Sequence, residues 1–207
     1  MPVEAKGSDV DELQLIERAK TDKEAFGQLY ETYNKQIYSY IYYRVSNAHD
    51  AEDLTTRVFM RAMQHIGSYE DQGVPFSAWL YRIARNLVAN WHRDQNRRQI
   101  ISLDDMNQWH FREESAELAL EWAEHKEALY NAIRRLPRDR QELLILKFVD
   151  RRSNAEIGEI LERSEGAIKS LYHRTLLVLR EEISVETQPA QPVPEERRSL
   201  FRLPWRR

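Results

Sequence analysis

The sequence predicts an all-α protein of two helical domains joined by a flexible linker, and three observations carry that expectation. Apolar residues recur at three- and four-residue spacing along most of the chain, whereas strand-like alternation is almost absent. Helix breakers are scarce, with 6 glycines and 7 prolines in 207 residues, and most of the prolines fall in the last twenty positions. Hydrophobic residues make up 42% and charged residues 31%, a mix that suits real cores beneath long solvated helix faces.

Taken in order, Leu13, Ile16, Ala19 and Lys20 mark a first helix, with Asp9 or Asp11 as its acidic start. The segment "KEAFGQLYETYNKQIYSYIYYRV" reads as a long second helix. Its stripe of Phe26, Leu29, Tyr30, Tyr33, Ile37, Tyr40, Ile41 and Val45 faces inward. Asn47 begins a third helix, whose first turn is acidic as the helix dipole favours. A loop follows over 67–75, edged by glycines and Pro75. Phe76 or Ser77 then opens a fourth helix, "SAWLYRIARNLVANWHRDQNRR", with Trp79, Leu80, Ile83, Leu87 and Val88 inward and an arginine-rich outer face.

These elements define a first domain over 10–98, after a short N-terminal segment of residues 1–9. Residues 99–120 break the periodicity, carry acidic residues and read as a linker that turns helical near Glu117. A second domain over 121–183 comprises "EWAEHKEALYNAIRRL", stopped by Pro137, then "RDRQELLILKFV", then a helix–break–helix unit. The proline-rich tail, 184–207, is expected to be disordered.

The helix–break–helix unit has the chemistry of a DNA reader. Ser153 suits an N-cap for "NAEIGEIL", whose Ile157, Ile160 and Leu161 form a buried edge. The three-residue break "ERS" has the length helix-turn-helix motifs use, and Ser164 caps the next helix. There Ile168, Leu171 and Leu176 pack inward, leaving Lys169, Ser170, Tyr172, His173 and Arg174 outside. The N-terminal part of such a second helix enters the major groove. An ordinary helical hairpin with a solvated basic face would carry the same pattern. The paradox is charge, because the chain as a whole is acidic, with a formal net charge of −3.

Other classes fit poorly. Absence of cysteine removes disulfide frameworks and thiolate metal sites. No Gly-rich phosphate loop, nucleophile elbow or convergent ligand cluster is present. No catalytic residue, metal, cofactor or small-molecule substrate is therefore expected. "MPVEAKGSDVDE" lacks an apolar signal region, and runs such as "LLIL" are too short to span a bilayer, so a cytoplasmic protein is expected.

Three segments in this order, "DAEDLTTRVFMRA", "FSAWLYRIARNLVANWHRDQNRR" and "LPRDRQELLILKFVDRRSNAEIGEILERSEGAIKSLYHRTLLVLRE", resemble regions 2 and 4 of bacterial RNA polymerase sigma factors. The compact form is similar to the extracytoplasmic-function group, and the resemblance covers roughly residues 10–183. It implies a subunit of a larger machine that needs local basic faces rather than a basic whole, and so accounts for the charge. A stand-alone helix-turn-helix regulator is the alternative reading.

The resemblance implies three surfaces. Asp50, Glu52, Asp53 and Leu54, with Arg57 and Phe59 on the same helix, would dock on the clamp helices of core RNA polymerase. Thr56 and Arg57 stand where glutamine and glutamate are usual. Tyr69, Glu70, Asn86 and Asn90 would contact bases of the minus-10 element. Arg82, Arg85, Arg93, Arg97 and Arg98 would follow its phosphates, with Trp91 beside them; Trp79 reads as core. Ser164, Glu165, Gly166, Ala167, Lys169, Ser170, His173 and Arg174 would read the minus-35 element. Here Leu171, Arg163 and Gly158 depart from the usual arginine, apolar residue and alanine. Further implied partners are promoter DNA, the polymerase beta-subunit flap and an anti-sigma factor. The acidic linker suits a basic channel wall or a plain connector. The tail "RRSLFRLPWRR" suits nucleic acid, an anionic membrane surface or a partner groove, beside plain disorder.

Overall fold

A computed structural model of the chain describes residues 7–71, 73–94 and 128–187. Every regular element among them is helical. The first half holds α1 (Gly7–Ala19), α2 (Lys23–Val45), α3 (Ala48–His65) and α4 (Phe76–Asp94), with a single 3-10 turn, Ile66–Ser68, after α3. The second holds α5 (residues 128–135), α6 (Arg138–Leu144), α7 (Asn154–Leu161) and α8 (Glu165–Thr187). The expected linker, Arg97, Arg98, the N-terminal part of the helix before Pro137 and the tail beyond residue 187 lie outside the described residues.

Local chemistry sets the boundaries. Asp22 caps α2 by accepting from the Glu24 amide at 2.9 Å. Ser46 closes that helix in the left-handed region (φ 55°), and Asn47 at once caps α3 by accepting from the Asp50 amide at 3.0 Å. The first helix begins at Gly7, before the aspartates expected to start it. The last runs through Thr187, past the expected end at 183, because no proline interrupts its hydrogen-bond ladder before residue 189.

The helix α2 is central and packs against α1, α3 and α4. Its Leu29, Ile37, Tyr40, Ile41 and Tyr43 are fully buried, together with Leu80, Tyr81 and Val88 of α4. Tyr30 leaves the expected inward stripe: it is 43% exposed and meets the edge of Phe59 with ring centroids 4.8 Å apart. In the second half the buried Gln141 amide of α6 donates to the carbonyls of Ile133, Arg134 and Leu136 at 3.0–3.1 Å. It thereby caps the carbonyl end of α5. Helix α6 widens into a π turn over Ile145–Val149 before the chain enters α7.

The two halves pack on each other. Helix α4 lies against α7, α2 lies against the π turn, and buried apolar residues of both halves form one contiguous cluster. No helix among the described residues is long and apolar enough to cross a membrane.

Candidate nucleic-acid interface

The helix-turn-helix is α7, the turn 162–164, and α8. Ser153 and Glu156 form a reciprocal capping box, with bonds of 3.2 Å and 2.8 Å, which fixes the start of α7. Glu162 ends α7 in the left-handed region (φ 57°), and the Arg163 amide donates back to the Gly158 carbonyl at 2.9 Å. The turn is tight enough that a Cβ on Gly158 would sit 2.6 Å from the Arg163 carbonyl oxygen. That contact explains why glycine stands there. Arg163, the other departure in the turn, pairs with Asp139 of α6 at 2.5 Å and ties the turn to the rest of the second half.

Ser164 accepts from the Ala167 amide at 3.3 Å and caps α8. Ile168 and Leu171 are buried as expected, but Leu176 is 39% exposed. Thr175 takes its place in the core, because the buried stripe runs 168, 171, 175, 179 and the threonine hydroxyl is satisfied by the Leu171 carbonyl at 2.8 Å. Glu165, Gly166, Ala167, Lys169, Ser170, His173 and Arg174 all stand exposed within the first three turns of α8. Lys169 and Glu165 pair at 2.8 Å in solvent, a contact worth well under ~1 kcal/mol and therefore exchangeable.

A second feature lies at the start of α4. Ser68, Tyr69, Glu70, Val74, Pro75, Trp79 and Arg82 line a cleft of about 250 Å³. Tyr69, Phe76 and Trp79 pack against one another in edge-on and tilted contacts at centroid distances of 5.2–5.4 Å. Burial, then the neighbouring Asp71 carboxylate, raises the Tyr69 hydroxyl above its usual value, so it remains a donor. A cleft of this size with aromatic walls and a few polar groups suits one planar ring rather than an extended ligand. Trp79 is only partly buried and forms a wall of the cleft. Periodicity placed it in the core, because a residue at the core's edge has the same spacing. Val74 and Pro75 carried no signal beyond their place in a loop. Along α4, Asn86 and Arg93 are exposed, and Asn90 and Trp91 are half-buried.

On α3, Glu52, Asp53 and Arg57 are exposed and Asp50 is half-buried. Leu54 and Phe59 are 2% and 4% exposed, so they brace the helix from inside rather than present a surface. Met60 and Met63, which sequence reasoning passed over, are 54% and 50% exposed on the same helix.

Arg82 and Arg85 of α4 do not face open solvent. Arg82 donates through Nε and Nη2 to the Glu159 carbonyl of α7 at 3.0 and 2.8 Å. Arg85 Nε lies 3.4 Å from the Glu142 carboxylate of α6. The same Glu142 oxygen accepts from the Tyr40 hydroxyl at 2.5 Å and from Arg44 Nη1 at 2.8 Å, and all three of these side chains are buried. Burial, with the adjacent Glu142 carboxylate, holds the Tyr40 hydroxyl well above its ordinary pKa, so it stays a donor. Arg152 of the second half reaches Gln36 of α2 and lies over the Tyr81 ring at 5.3 Å.

Comparison with known proteins gives a consistent result. The description "Sigma-70 region 2" matches residues 29–98 and "Sigma-70, region 4" matches residues 126–179. The chain is 39% identical over 168 residues to the ECF RNA polymerase sigma factor BldN of Streptomyces coelicolor, covering 81% of this chain but only 64% of that protein's length. It is 30% identical to the ECF RNA polymerase sigma factor SigW of Bacillus subtilis, over 79% of this chain and 91% of that one. Its fold is like that of CnrH solved in complex with the cytosolic domain of CnrY, with a TM-score of 0.57, 20% identity, and coverage of 84% and 97% of the two chains.

Proposed function

The chain belongs to the sigma-70 family, in its extracytoplasmic-function group, and from that premise we propose that it binds core RNA polymerase and directs promoter-specific initiation in the bacterial cytoplasm. The observation that carries the reading is the presence, in order on one chain, of region 2 with its aromatic cleft and region 4 with an exposed, capped α8 N-terminus.

In this reading region 2 meets the minus-10 element once its strands separate. An unpaired base enters the cleft between Tyr69 and Trp79, while Glu70, Asn86 and Asn90 offer polar contacts to base edges. The arginines of α4 follow the backbone. Region 4 lays α8 in the major groove of the minus-35 duplex. Glu165 accepts from an exocyclic amine, and Lys169 and Arg174 donate to guanine edges or phosphates. The exposed acids of α3 meet a basic helical partner on the polymerase, and Met60 and Met63 add adaptable apolar contact beside them. An anti-sigma factor would compete for the same surfaces. The protein acts as an initiation factor and leaves phosphodiester chemistry to the polymerase.

The test is run-off transcription with purified chain, core polymerase and a promoter library. Core-dependent transcripts from a defined promoter class are expected, and charge reversal at Asp50 and Asp53 abolishes them. Tight binding to palindromic duplexes without polymerase, and no transcript, would replace this reading with that of a stand-alone regulator.

A further inference from the structure

We propose that the cleft at the start of α4 also takes a segment of the chain itself, the C-terminal "RRSLFRLPWRR", with the Trp205 ring between Tyr69 and Trp79 and the neighbouring arginines on the carboxylates at the rim. The consequence for DNA rests on the functional reading above; the contact does not.

The rim of the cleft is acidic. Glu70 lines it, and the carboxylates of Asp71 and Glu12 lie near enough to act on the Tyr69 hydroxyl. Glu70 and Asp71 are exposed and so within reach of a partner. Arg82 is the one cation among the lining residues, and its guanidinium is held by the Glu159 carbonyl. An aromatic hollow edged by carboxylates disfavours a phosphate backbone and favours a ring with cations beside it.

The segment has that chemistry. Its eleven positions, 197–207, hold five arginines, the apolar Leu200, Phe201, Leu203 and Trp205, and no acid. Pro204 narrows the conformations open to itself and to Leu203, which lowers the ordering cost of seating Trp205. The indole N–H is a donor, and Ser68 and Glu70 offer oxygen acceptors at the cleft. Arg202, Arg206 and Arg207 stand close enough in sequence to meet the rim while the ring is seated.

Reach is ample. Fully extended, residues 188–204 span up to ~60 Å, whereas a compact chain of this size is about 40 Å across. Tethering sets an effective concentration of about 1 mM, so a contact with an intrinsic Kd of only about 0.1 mM is closed about nine-tenths of the time. Trp205 then occupies the place of an unpaired base, and a base has to displace it.

The test uses the full-length chain. The sequence has no cysteine, so Ser199→Cys takes a single nitroxide. In isotopically enriched protein the amide signals of residues 68–82 are expected to broaden. The broadening is expected to be largely lost in Trp205→Ala and kept in Trp205→Phe, which retains a planar ring. Asp71→Asn, whose amide oxygen can still accept from the Gly73 amide, should weaken it. No broadening is expected when spin-labelled, unenriched protein is mixed with enriched, unlabelled protein; its appearance there would assign the contact to a second copy and overturn the intramolecular one. A random-sequence single-stranded DNA oligonucleotide then probes the cleft. Trp205→Ala leaves the charge unchanged and is expected to tighten oligonucleotide binding by about tenfold, because apparent affinity scales with the open fraction. Weaker binding by Trp205→Ala would make the segment a DNA contact and overturn the proposal, as would broadening that misses residues 68–82 or persists in Trp205→Ala. Unchanged binding beside a lost broadening counts against the functional reading of the cleft and leaves the contact standing. Loss of core-dependent transcription in the wild type likewise overturns that reading alone.

Discussion

Replacing Gly158 by alanine sets two physical effects against each other, and the structure decides the sign. Helix propensity alone favours alanine in α7 by about 1 kcal/mol. Against this, the new Cβ would lie 2.6 Å from the Arg163 carbonyl oxygen, a backbone atom held by the Arg163 amide's own bond to the Gly158 carbonyl at 2.9 Å. No flexible side chain is there to move aside, so the turn between α7 and α8 must open. Overpacking of this kind costs about 1–3 kcal/mol. The net expectation is a loss of about 1 kcal/mol. For a domain pair of this size that lowers the midpoint of thermal unfolding by about 2–4 °C. Gly27, exposed in the second turn of α2 with nothing within 4 Å of its Cβ position, is the control, because the same substitution there should raise the midpoint. Calorimetry of both variants gives the signs. Run-off transcription at promoters with and without a minus-35 element tests whether the opened turn misplaces α8. A Gly158→Ala protein more stable than wild type would show that the turn gives way freely, and that its tightness plays no part in setting α8.

His92 is 4% exposed, and burial followed by the charges of Arg44 and Arg138 lowers its pKa to about 4, so the neutral ring is the form the fold holds. Its contribution is complete above pH 6.5 and lost as pH falls from 6.5 toward 4, up to about 3 kcal/mol. His92→Gln should flatten that acid limb in denaturant titrations. Asp150 has the opposite sign. Burial raises its pKa to about 7 despite Tyr81 and Arg152, so the protonated form is favoured and stability falls as pH rises from 3.8 to 7. Asp150→Asn should remove this loss and raise the denaturation midpoint at pH 8. Lys169→Ala should weaken minus-35 duplex binding by the holoenzyme and reduce the salt slope of log K by about 0.9 if the ammonium meets one phosphate.

Local determinants were legible in the sequence and long-range ones were not. Asn47, Ser153 and Ser164 could be assigned as caps because a cap and the amides it serves lie within three residues. The exposed face of α8 followed from periodicity, and the family resemblance followed from motif order. Leu176 was misplaced because apolar character outweighed spacing. Thr175 can be fully buried only because its hydroxyl bonds its own helix, which composition does not reveal. The cleft at 68–82 was half legible: Tyr69 and Glu70 stood out, but Trp79 looked like core because edge and interior share a period. Arg82 and Arg85 could be assigned to a basic face, yet nothing in the sequence pairs them with residues about 60–80 positions away. Glu142 carried no signal at all, since Tyr40 and Arg44 precede it by 102 and 98 residues.

That pairing also bears on how an acidic chain can read DNA. A net charge of −3 does not mean weak basic faces. Acids elsewhere in the fold lie against two arginines of α4, Glu159 beside Arg82 and Glu142 beside Arg85. Salt does not act equally on the ion pairs of Glu142 and Glu159. The Arg82–Glu159 and Arg85–Glu142 contacts, with arginine side chains about one-third exposed, weaken as ionic strength rises. The Arg44–Glu142 pair, with side chains 6% and 4% exposed, is screened far less. Raising salt therefore loosens the α4 arginines from their acids before it disturbs the buried Arg44–Glu142 pair.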